Sequence, residues 1–104
     1  MRYEVLFRPR ARKDLISLYR YFSKQASPRI AANYIGRIEK ACLSLASLPQ
    51  RGTAVPTHVS VLRTMGFEGR ATILFGVGPE RVEILRVYYG EQDLGPELKR
   101  LLGI

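Results

Sequence analysis

The side chains best suited to chemistry in this sequence are arginines and tyrosines in its second half. They are Arg63, Arg70, Arg81, Arg86, Tyr88 and Tyr89. Cleavage of RNA without a metal needs a group that activates the 2′-hydroxyl, cations that stabilise the phosphate, and an acid that protonates the leaving oxygen. Arginines can supply the cations, and no lysine lies between Lys40 and Lys99 to join them.

Other reactive groups are too few for a second kind of site. The sequence has one histidine, His58, and one cysteine, Cys42, so a metal cluster is not available and a His-assisted nucleophile would depend entirely on His58. We expect His58 in a solvent-exposed loop and Cys42 as a buried, unreactive thiol. Gly76-Val77-Gly78 falls at a predicted hairpin, so it is not a phosphate-binding loop. We predict no metal and no cofactor.

Two of the arginines also have a purely structural interpretation. Arg86 lies in an apolar strand pattern, where an unpaired buried charge is costly, so it needs a partner such as Asp93 or Glu68. Arg63 could likewise do no more than hold a neighbouring loop. The residues alone leave the structural and the chemical interpretation open.

The first half of the chain predicts a strand and two helices that support these residues. Arg2 to Arg8 alternates in the manner of a strand. Pro9 to about Gln25 carries an apolar stripe at helical spacing. A second helix begins at Ser27-Pro28 and runs to about Leu48. The link between the helices is very short, so we expect an antiparallel hairpin.

A loop and three strands follow. Pro49 to Ser60 is rich in turn-forming residues and predicts a surface loop. The predicted strands are Val61 to Met65, Ala71 to Val77 and Val82 to Tyr89. Turns at Gly66 to Gly69 and Gly78 to Arg81 join them. Simple alternation gives the last strand two faces, one with Val82, Ile84, Arg86 and Tyr88 and the other with Glu83, Leu85, Val87 and Tyr89. One of the two tyrosines should therefore be in the core and the other partly exposed.

These elements predict an α+β fold in the order β-α-α-β-β-β, as one domain of residues 1–104. Strands in succession with short turns form an antiparallel sheet, and the helical hairpin packs on one of its faces. The other face is left partly open and is the natural binding surface. Glu91 to Ile104 forms a short C-terminal tail.

The chain is basic, with a net charge of +8. Residues 1–40 hold ten Lys or Arg against three Asp or Glu, whereas residues 41–104 hold seven against six. Such a field speeds encounter with an acidic protein or a nucleic acid. We find no apolar run near the roughly 18 residues of a membrane span and no signal-peptide core. The single cysteine cannot form an internal disulfide, and we predict a cytoplasmic protein without membrane contact.

Several segments, taken together and in order, resemble one known family. They are Ala11…Asp14-Leu15…Tyr19, Ser27-Pro28…Ala31…Tyr34, Pro49-Gln50-Arg51-Gly52, Leu62-Arg63, and Ile84-Leu85-Arg86-Val87…Gly90…Asp93. With the predicted order of elements, they resemble the RelE/ParE superfamily of bacterial toxins, and the ParE branch more than the RelE branch. The resemblance implies a toxin of a type II toxin–antitoxin system. It also implies a small antitoxin that docks on the helical hairpin and the sheet edge.

The two branches imply different activities. ParE-type members inhibit DNA gyrase by protein contact, and RelE-type members cleave messenger RNA in the ribosome. This sequence departs from the RelE pattern at Gln92, where many relatives carry a basic residue, and at Thr72, where the pattern has arginine. We therefore expect a gyrase inhibitor that is not itself an enzyme. The alternatives are a RelE-like, metal-independent, ribosome-dependent mRNA endoribonuclease and a member that only binds proteins.

Each alternative has its own candidate residues. A nuclease would use Arg63, Arg70, Arg86, Tyr88 and Tyr89. The residues expected to contact a target or partner are Arg12, Tyr19, Arg20, Arg63, Arg86 and Asp93. The expected partners are a cognate antitoxin and DNA gyrase, and nucleic acid is a partner only if the protein is RelE-like.

Overall fold

A computed structural model describes residues 2–55 and 62–90 of the chain. In order, the elements are β1 (Glu4–Phe7), α1 (Pro9–Gln25), α2 (Pro28–Leu43), a 3-10 turn (Ser44–Ala46), β2 (Thr53–Ala54), β3 (Leu62–Phe67), β4 (Ala71–Val77) and β5 (Arg81–Tyr89). The predicted α+β class, with a helical hairpin packed on the sheet, is confirmed. The predicted tail, Glu91 to Ile104, and the predicted loop residue His58 lie outside the described residues.

Both helices begin as the sequence predicts. Pro9 occupies the first turn of α1, where its missing N–H costs nothing and its fixed φ suits the helix. At the start of α2, the hydroxyl of Ser27 accepts the N–H of Ile30 at 3.1 Å, and Pro28 follows it. This cap satisfies one of the free donors of the first turn.

The second helix ends earlier than predicted, at Leu43 instead of near Leu48. From Ser44 the chain tightens into the 3-10 turn. The Ser44 hydroxyl donates to the carbonyl oxygen of Ala41 at 2.6 Å, a local bond of the kind that competes with regular helix. The apolar pattern continued to Leu48 because Leu45, in the 3-10 turn, is still fully buried.

The sheet has five strands in the order β1-β5-β4-β3-β2. Strands β3, β4 and β5 pair antiparallel as predicted. Strand β1 instead pairs parallel with β5, so the sheet is mixed and not wholly antiparallel. The physical reason is that the helical hairpin and strands β2 to β4 lie between β1 and β5 in the sequence. A connection of this length permits two strands to pair in parallel.

Two strand boundaries differ from the prediction. The segment Pro49 to Ser60 was predicted as loop, but Thr53–Ala54 pairs with β3 as a short edge strand. Strand β3 also continues to Phe67, so Gly66 lies in the strand and not in the turn. Ala54 and Gly66 pair across the sheet in spite of weak strand propensity, because neighbouring strands supply backbone partners.

A bulge in β5 overturns the predicted alternation of that strand. Leu74 of β4 lies opposite Arg86, whereas the next residue, Phe75, lies opposite Ile84. One residue of β5, Leu85, is therefore extra, and the side chains after it change face. Val82, Ile84 and Val87 belong to the core beneath the helices, with Tyr89 packed against it. The prediction that Arg86 and Tyr88 share a face with Ile84 is wrong.

The core lies between the helical hairpin and one face of the sheet. The predicted stripes are buried, with Ala11, Leu15 and Leu18 from α1 and Ala31, Tyr34, Ile38 and Cys42 from α2. The sheet contributes Ile73, Phe75, Val82 and Ile84, all fully buried. Burying these side chains supplies the main favourable term in folding. In the described ranges, the helices are too short or too polar to span a bilayer.

Candidate functional site

Arg86 is fixed to helix α1 by Asp14. Its Nε donates to Asp14 Oδ2 at 2.7 Å, and its Nη2 donates to Oδ1 at 3.0 Å. The two side chains are 13% and 15% exposed, so this two-point ion pair is largely shielded from water. The guanidinium also lies 4.8 Å from the centre of the Tyr88 ring. The structural interpretation of Arg86 therefore holds, with a partner that the sequence analysis did not name.

Asp14 makes a third contact, with the edge of the sheet. Strand β1 pairs with β5 only as far as Ile84. Beyond that point Asp14 Oδ2 accepts the backbone N–H of Val87 at 2.9 Å. Past the end of the β1–β5 pairing, the Asp14 carboxylate therefore accepts a backbone N–H of β5 that has no strand partner there. This hydrogen bond satisfies a partly buried backbone donor. The expected partner Glu68 binds Arg37 instead, and Asp93 lies outside the described residues.

Arg63 holds a neighbouring loop, as its structural interpretation predicts. Its Nε and Nη2 donate to the carbonyl oxygens of Arg51 and Gly52, each at 3.0 Å. Arg51 in turn donates to the Ser44 hydroxyl at 2.7 Å. Gly52 has φ +81°, and a Cβ there would stand 2.1 Å from the carbonyl oxygen of Thr64. The Arg51-Gly52 pair is therefore explained by loop geometry, with glycine required at the second position.

Of the other nuclease candidates, Tyr88 lies against Arg86, whereas Arg70 and Tyr89 form a separate pair. Arg70 is the last residue of the β3–β4 turn, and its guanidinium lies 5.8 Å from the centre of the Tyr89 ring. Tyr89 is partly buried and packs against the core beneath the helices. Tyr88 is more buried, with 5% of its surface exposed. The predicted contrast between a core tyrosine and a partly exposed one is present, with Tyr88 the more buried. The five candidate residues therefore lie in three separate arrangements, which are Arg63 with its loop, Arg86 with Tyr88, and Arg70 with Tyr89.

A second constellation, absent from the sequence analysis, lies at the end of the hairpin where α1 finishes and α2 starts. Phe22 of α1, Tyr34 of α2 and Tyr89 of β5 meet there with ring centres 5.0 to 6.2 Å apart. The three rings pack nearly edge to face, the arrangement that their quadrupoles favour. We call the adjoining depression the aromatic groove. Its lining includes Phe22, Ile30, Tyr34, Glu68, Arg70 and Tyr89.

An ion pair forms the rim of the aromatic groove. Arg37 Nε and Nη2 donate to the two carboxylate oxygens of Glu68 at 2.8 and 3.1 Å. These hydrogen bonds lower the pKa of Glu68. Glu68 has φ +50°, the only positive φ of a non-glycine residue in the described part of the chain. Arg37 therefore holds the β3–β4 turn in a conformation that glutamate seldom adopts.

Tyr34 leaves a polar atom unsatisfied in this groove. The residue is 9% exposed, and its hydroxyl makes no hydrogen bond within the described residues. Burial raises the pKa of this hydroxyl, so it is neutral at pH 7. An unpartnered buried hydroxyl costs free energy. Tyr34 was predicted only as part of an apolar stripe, and the spacing of that stripe gives no sign of the groove.

Helix α1 also presents an exposed surface made of apolar and cationic side chains. Ile16 is 50% exposed and Tyr19 is 39% exposed, and Arg12 and Arg20 are exposed beside them. The four residues lie at helical spacing on one side of α1. We call them the α1 surface. Arg12 also donates to the carbonyl oxygen of Phe7 at 3.3 Å, which holds the base of its side chain against β1.

The remaining reactive groups offer little chemistry. Burial raises the pKa of the Cys42 thiol to about 12, and the prediction of a buried thiol is confirmed. Across residues 2–55 and 62–90, no three His, Cys, Asp or Glu side chains group in a way that could hold a metal ion.

Comparison with known proteins gives one family match and clear structural similarity. A family model described as the ParE toxin of the type II toxin–antitoxin system, parDE, matches residues 5–94. A search of curated proteins gave no match.

Two solved structures share the fold. A chain of the chromosomal ParDE toxin–antitoxin system from P. aeruginosa superposes with a TM-score of 0.74 at 22% identity, covering 86% of this chain and 97% of its own. A chain of the RelBE2 toxin–antitoxin complex from Mycobacterium tuberculosis superposes with a TM-score of 0.61 at 27% identity. The match covers 88% of this chain and 95% of the other. The superpositions agree with the fold class predicted from the sequence.

Proposed function

The chain belongs to the ParE toxin family of type II toxin–antitoxin systems, and we propose that it inhibits DNA gyrase and is silenced by a cognate antitoxin. The inhibition is by protein contact and not by cleavage of nucleic acid. The resemblance of the sequence to the ParE branch supports this choice, and so does the arrangement of the arginines.

The observation that carries the proposal is that two arginines required by the nuclease alternative are already bonded to other groups of the protein. Arg86 is bound at two points by Asp14, and Arg63 is bound by two backbone carbonyls. A cation that stabilises a transition-state phosphate must point its donors at that phosphate. The bonds of Arg86 and Arg63 point their donors into the fold, so these residues suit a structural role.

The antitoxin is proposed to dock on the α1 surface. Exposed Ile16 and Tyr19 provide apolar contact area, and tyrosine is frequent among residues that dominate binding energy. Arg12 and Arg20 provide positive charge around them, in the half of the chain that carries most of the net charge. An acidic amphipathic helix complements such a surface in both shape and charge. The solved relatives named above come from toxin–antitoxin systems, which supports a partner of this kind.

The gyrase proposal is tested by supercoiling of relaxed plasmid with the purified protein titrated in. We expect supercoiling to fall as the protein is added. Prior mixing with the protein encoded by the adjacent reading frame should restore it. Normal supercoiling at a large excess of folded protein would contradict gyrase as the target.

The docking proposal is tested with Tyr19→Asp, measured by calorimetric titration of the antitoxin. Loss of a central aromatic contact and the addition of a charge should weaken binding at least about 30-fold, since hot-spot truncations cost roughly 2 kcal/mol or more. Ser17→Asp, also on α1 and exposed, makes the same change of charge beside the surface. Equal effects of the two variants would contradict docking at Tyr19.

A further inference from the structure

We propose that the aromatic groove is a second antitoxin-binding site, which takes an apolar side chain of an acidic segment while a neighbouring carboxylate pairs with Arg70. The inference rests on the proposed function for the identity of the partner. It adds a contact at the opposite end of α1 from Arg12. Four features of the groove lead to it.

The groove has the shape and surface to hold an apolar side chain. Its volume is about 320 Å³, which is ample for one apolar side chain. Phe22, Tyr34 and Tyr89 form an apolar base. Ile30 stands at the edge, 54% exposed, on the first turn of α2. An apolar side chain that enters the groove removes these surfaces from water.

The charge beside the groove selects an acidic segment. Arg70 is exposed, and the residues that the structure describes offer it no carboxylate partner. Glu68, two residues earlier, is committed to Arg37 through both oxygens. The guanidinium of Arg70 rests near the Tyr89 ring, which limits its freedom before a ligand arrives. An arginine placed in this way can bind a carboxylate through two parallel hydrogen bonds.

The unsatisfied hydroxyl of Tyr34 is the third feature. Native proteins leave few buried polar groups unpaired, and those that remain are often functional. Tyr34 lines the groove, so a bound segment brings backbone or side-chain polar groups toward it. A hydrogen bond from the Tyr34 hydroxyl to the bound segment would remove the free-energy penalty of leaving that hydroxyl unsatisfied.

The strained turn is the fourth feature. Glu68 keeps φ +50°, and Arg70 follows it directly after Gly69. Backbone strain of this kind persists where neighbouring contacts enforce it, and it concentrates at functional sites. Here Arg37 bonds to both carboxylate oxygens of Glu68, which favours this conformation of the turn that ends at Arg70. A preformed site loses less entropy when it binds.

A peptide suits this groove better than a nucleic acid. Ile30 stands at the rim, 54% exposed, and offers aliphatic contact that bases do not need. Nucleic-acid affinity depends on neutralising several phosphates. Among the described lining residues, Arg70 and Arg37 are the only cations, and Arg37 is already paired.

The test compares Arg70→Glu with Arg10→Glu in binding to the purified full-length antitoxin, followed by fluorescence anisotropy. Both variants change the net charge equally, so both lose the same long-range attraction. Arg10 is exposed in the first turn of α1, about 18 Å along the helix from Phe22 at 1.5 Å per residue. We expect Arg70→Glu to weaken binding at least about tenfold beyond Arg10→Glu. Thermal melts check that both variants remain folded.

Tyr34→Phe gives a second readout that a merely structural tyrosine would not produce. It removes an unsatisfied hydroxyl, so the free protein should melt at an equal or higher temperature. If the hydroxyl is satisfied on binding, the same variant should bind the antitoxin roughly two- to tenfold more weakly. Higher stability with weaker binding supports the proposal, and unchanged binding contradicts a role for the hydroxyl.

The outcomes separate this inference from the proposed function. Antitoxin binding that is equal for Arg70→Glu and Arg10→Glu contradicts the groove site while the toxin–antitoxin assignment stands. Failure of the wild-type protein to bind the antitoxin contradicts both. Binding of a labelled single-stranded oligonucleotide that depends on Arg70, with antitoxin binding unaffected, would overturn the peptide as the occupant.

Discussion

Replacing Arg86 by glutamine should severely destabilise the protein, because it breaks the buried link between β5 and α1. The variant removes both guanidinium bonds to Asp14 and leaves that carboxylate shielded from water. Only the N–H of Val87 remains to donate to it among the contacts described here. A carboxylate that loses its cation in such surroundings lacks the partner that offset its desolvation, and this costs free energy.

The structure sets the size of the effect. Exposures of 13% and 15% for the two side chains make the pair mostly but not fully buried, so the about 3–5 kcal/mol that removal of one partner costs in a buried pair is an upper range. The surviving Val87 bond favours the lower end of that range. Domains of this size have a stability of about 5–15 kcal/mol, so we expect Arg86→Gln to lose a large part of it.

Urea unfolding followed by circular dichroism measures this loss directly. The matched control is Arg81→Gln on the same strand. Arg81 pairs with Glu4 at 3.4 Å, but the two side chains are 57% and 61% exposed, so its loss should cost less than about 1 kcal/mol. Arg86→Lys keeps the charge and loses the two-point geometry, and it should fall between wild type and Arg86→Gln.

A double-mutant cycle isolates the pair itself. Asp14→Asn should be destabilising alone, and its combination with Arg86→Gln should cost clearly less than the two single losses added together. If Arg86→Gln loses no more stability than Arg81→Gln, or if the two losses at Asp14 and Arg86 simply add, the structural role assigned to Arg86 is wrong.

Two further predictions concern glycine and cysteine. Gly52→Ala should lose about 2 kcal/mol or more in the same unfolding assay, because its φ is +81° and its Cβ would meet the Thr64 carbonyl oxygen. The control Gly36→Ala, in a helix with nothing within 4 Å of the added Cβ, should gain up to about 1 kcal/mol. Equal effects of the two variants would contradict the loop geometry. Cys42, fully buried with its pKa raised to about 12, should resist iodoacetamide at pH 8 in the native protein and react after unfolding in urea, whereas stoichiometric labelling of the folded protein would contradict its burial.

Local signals in the sequence were enough to predict most of the framework. Helix α1 runs from Pro9 to Gln25 as expected, since its apolar stripe has helical spacing and proline fixes its start. The Ser27 cap and strand β4 were equally local. Prediction failed at the end of α2, where the bond from Ser44 to Ala41 accompanies a tighter turn, and at β2, which depends on a partner strand. Strand β2 exists only because β3 supplies its partners.

The bulge at Leu85 shows why the site was harder to predict than the fold. Both faces of β5 carry apolar residues, so a change of register leaves no mark on the pattern. The predicted faces were therefore wrong after Leu85. One feature of the sequence does indicate the partner of Arg86. Asp14 is the only acidic residue in α1, and it stands next to the buried stripe, where a carboxylate needs a partner.

The measurement that tests the central claim most directly is a pair of assays on one preparation of folded protein. Gyrase supercoiling and cleavage of messenger RNA on translating ribosomes are followed across the same range of toxin concentrations. We predict that supercoiling is inhibited while the messenger remains intact, because Arg63 and Arg86 are held in internal bonds. Cleaved messenger with normal supercoiling would contradict the account and would return those arginines to a catalytic role.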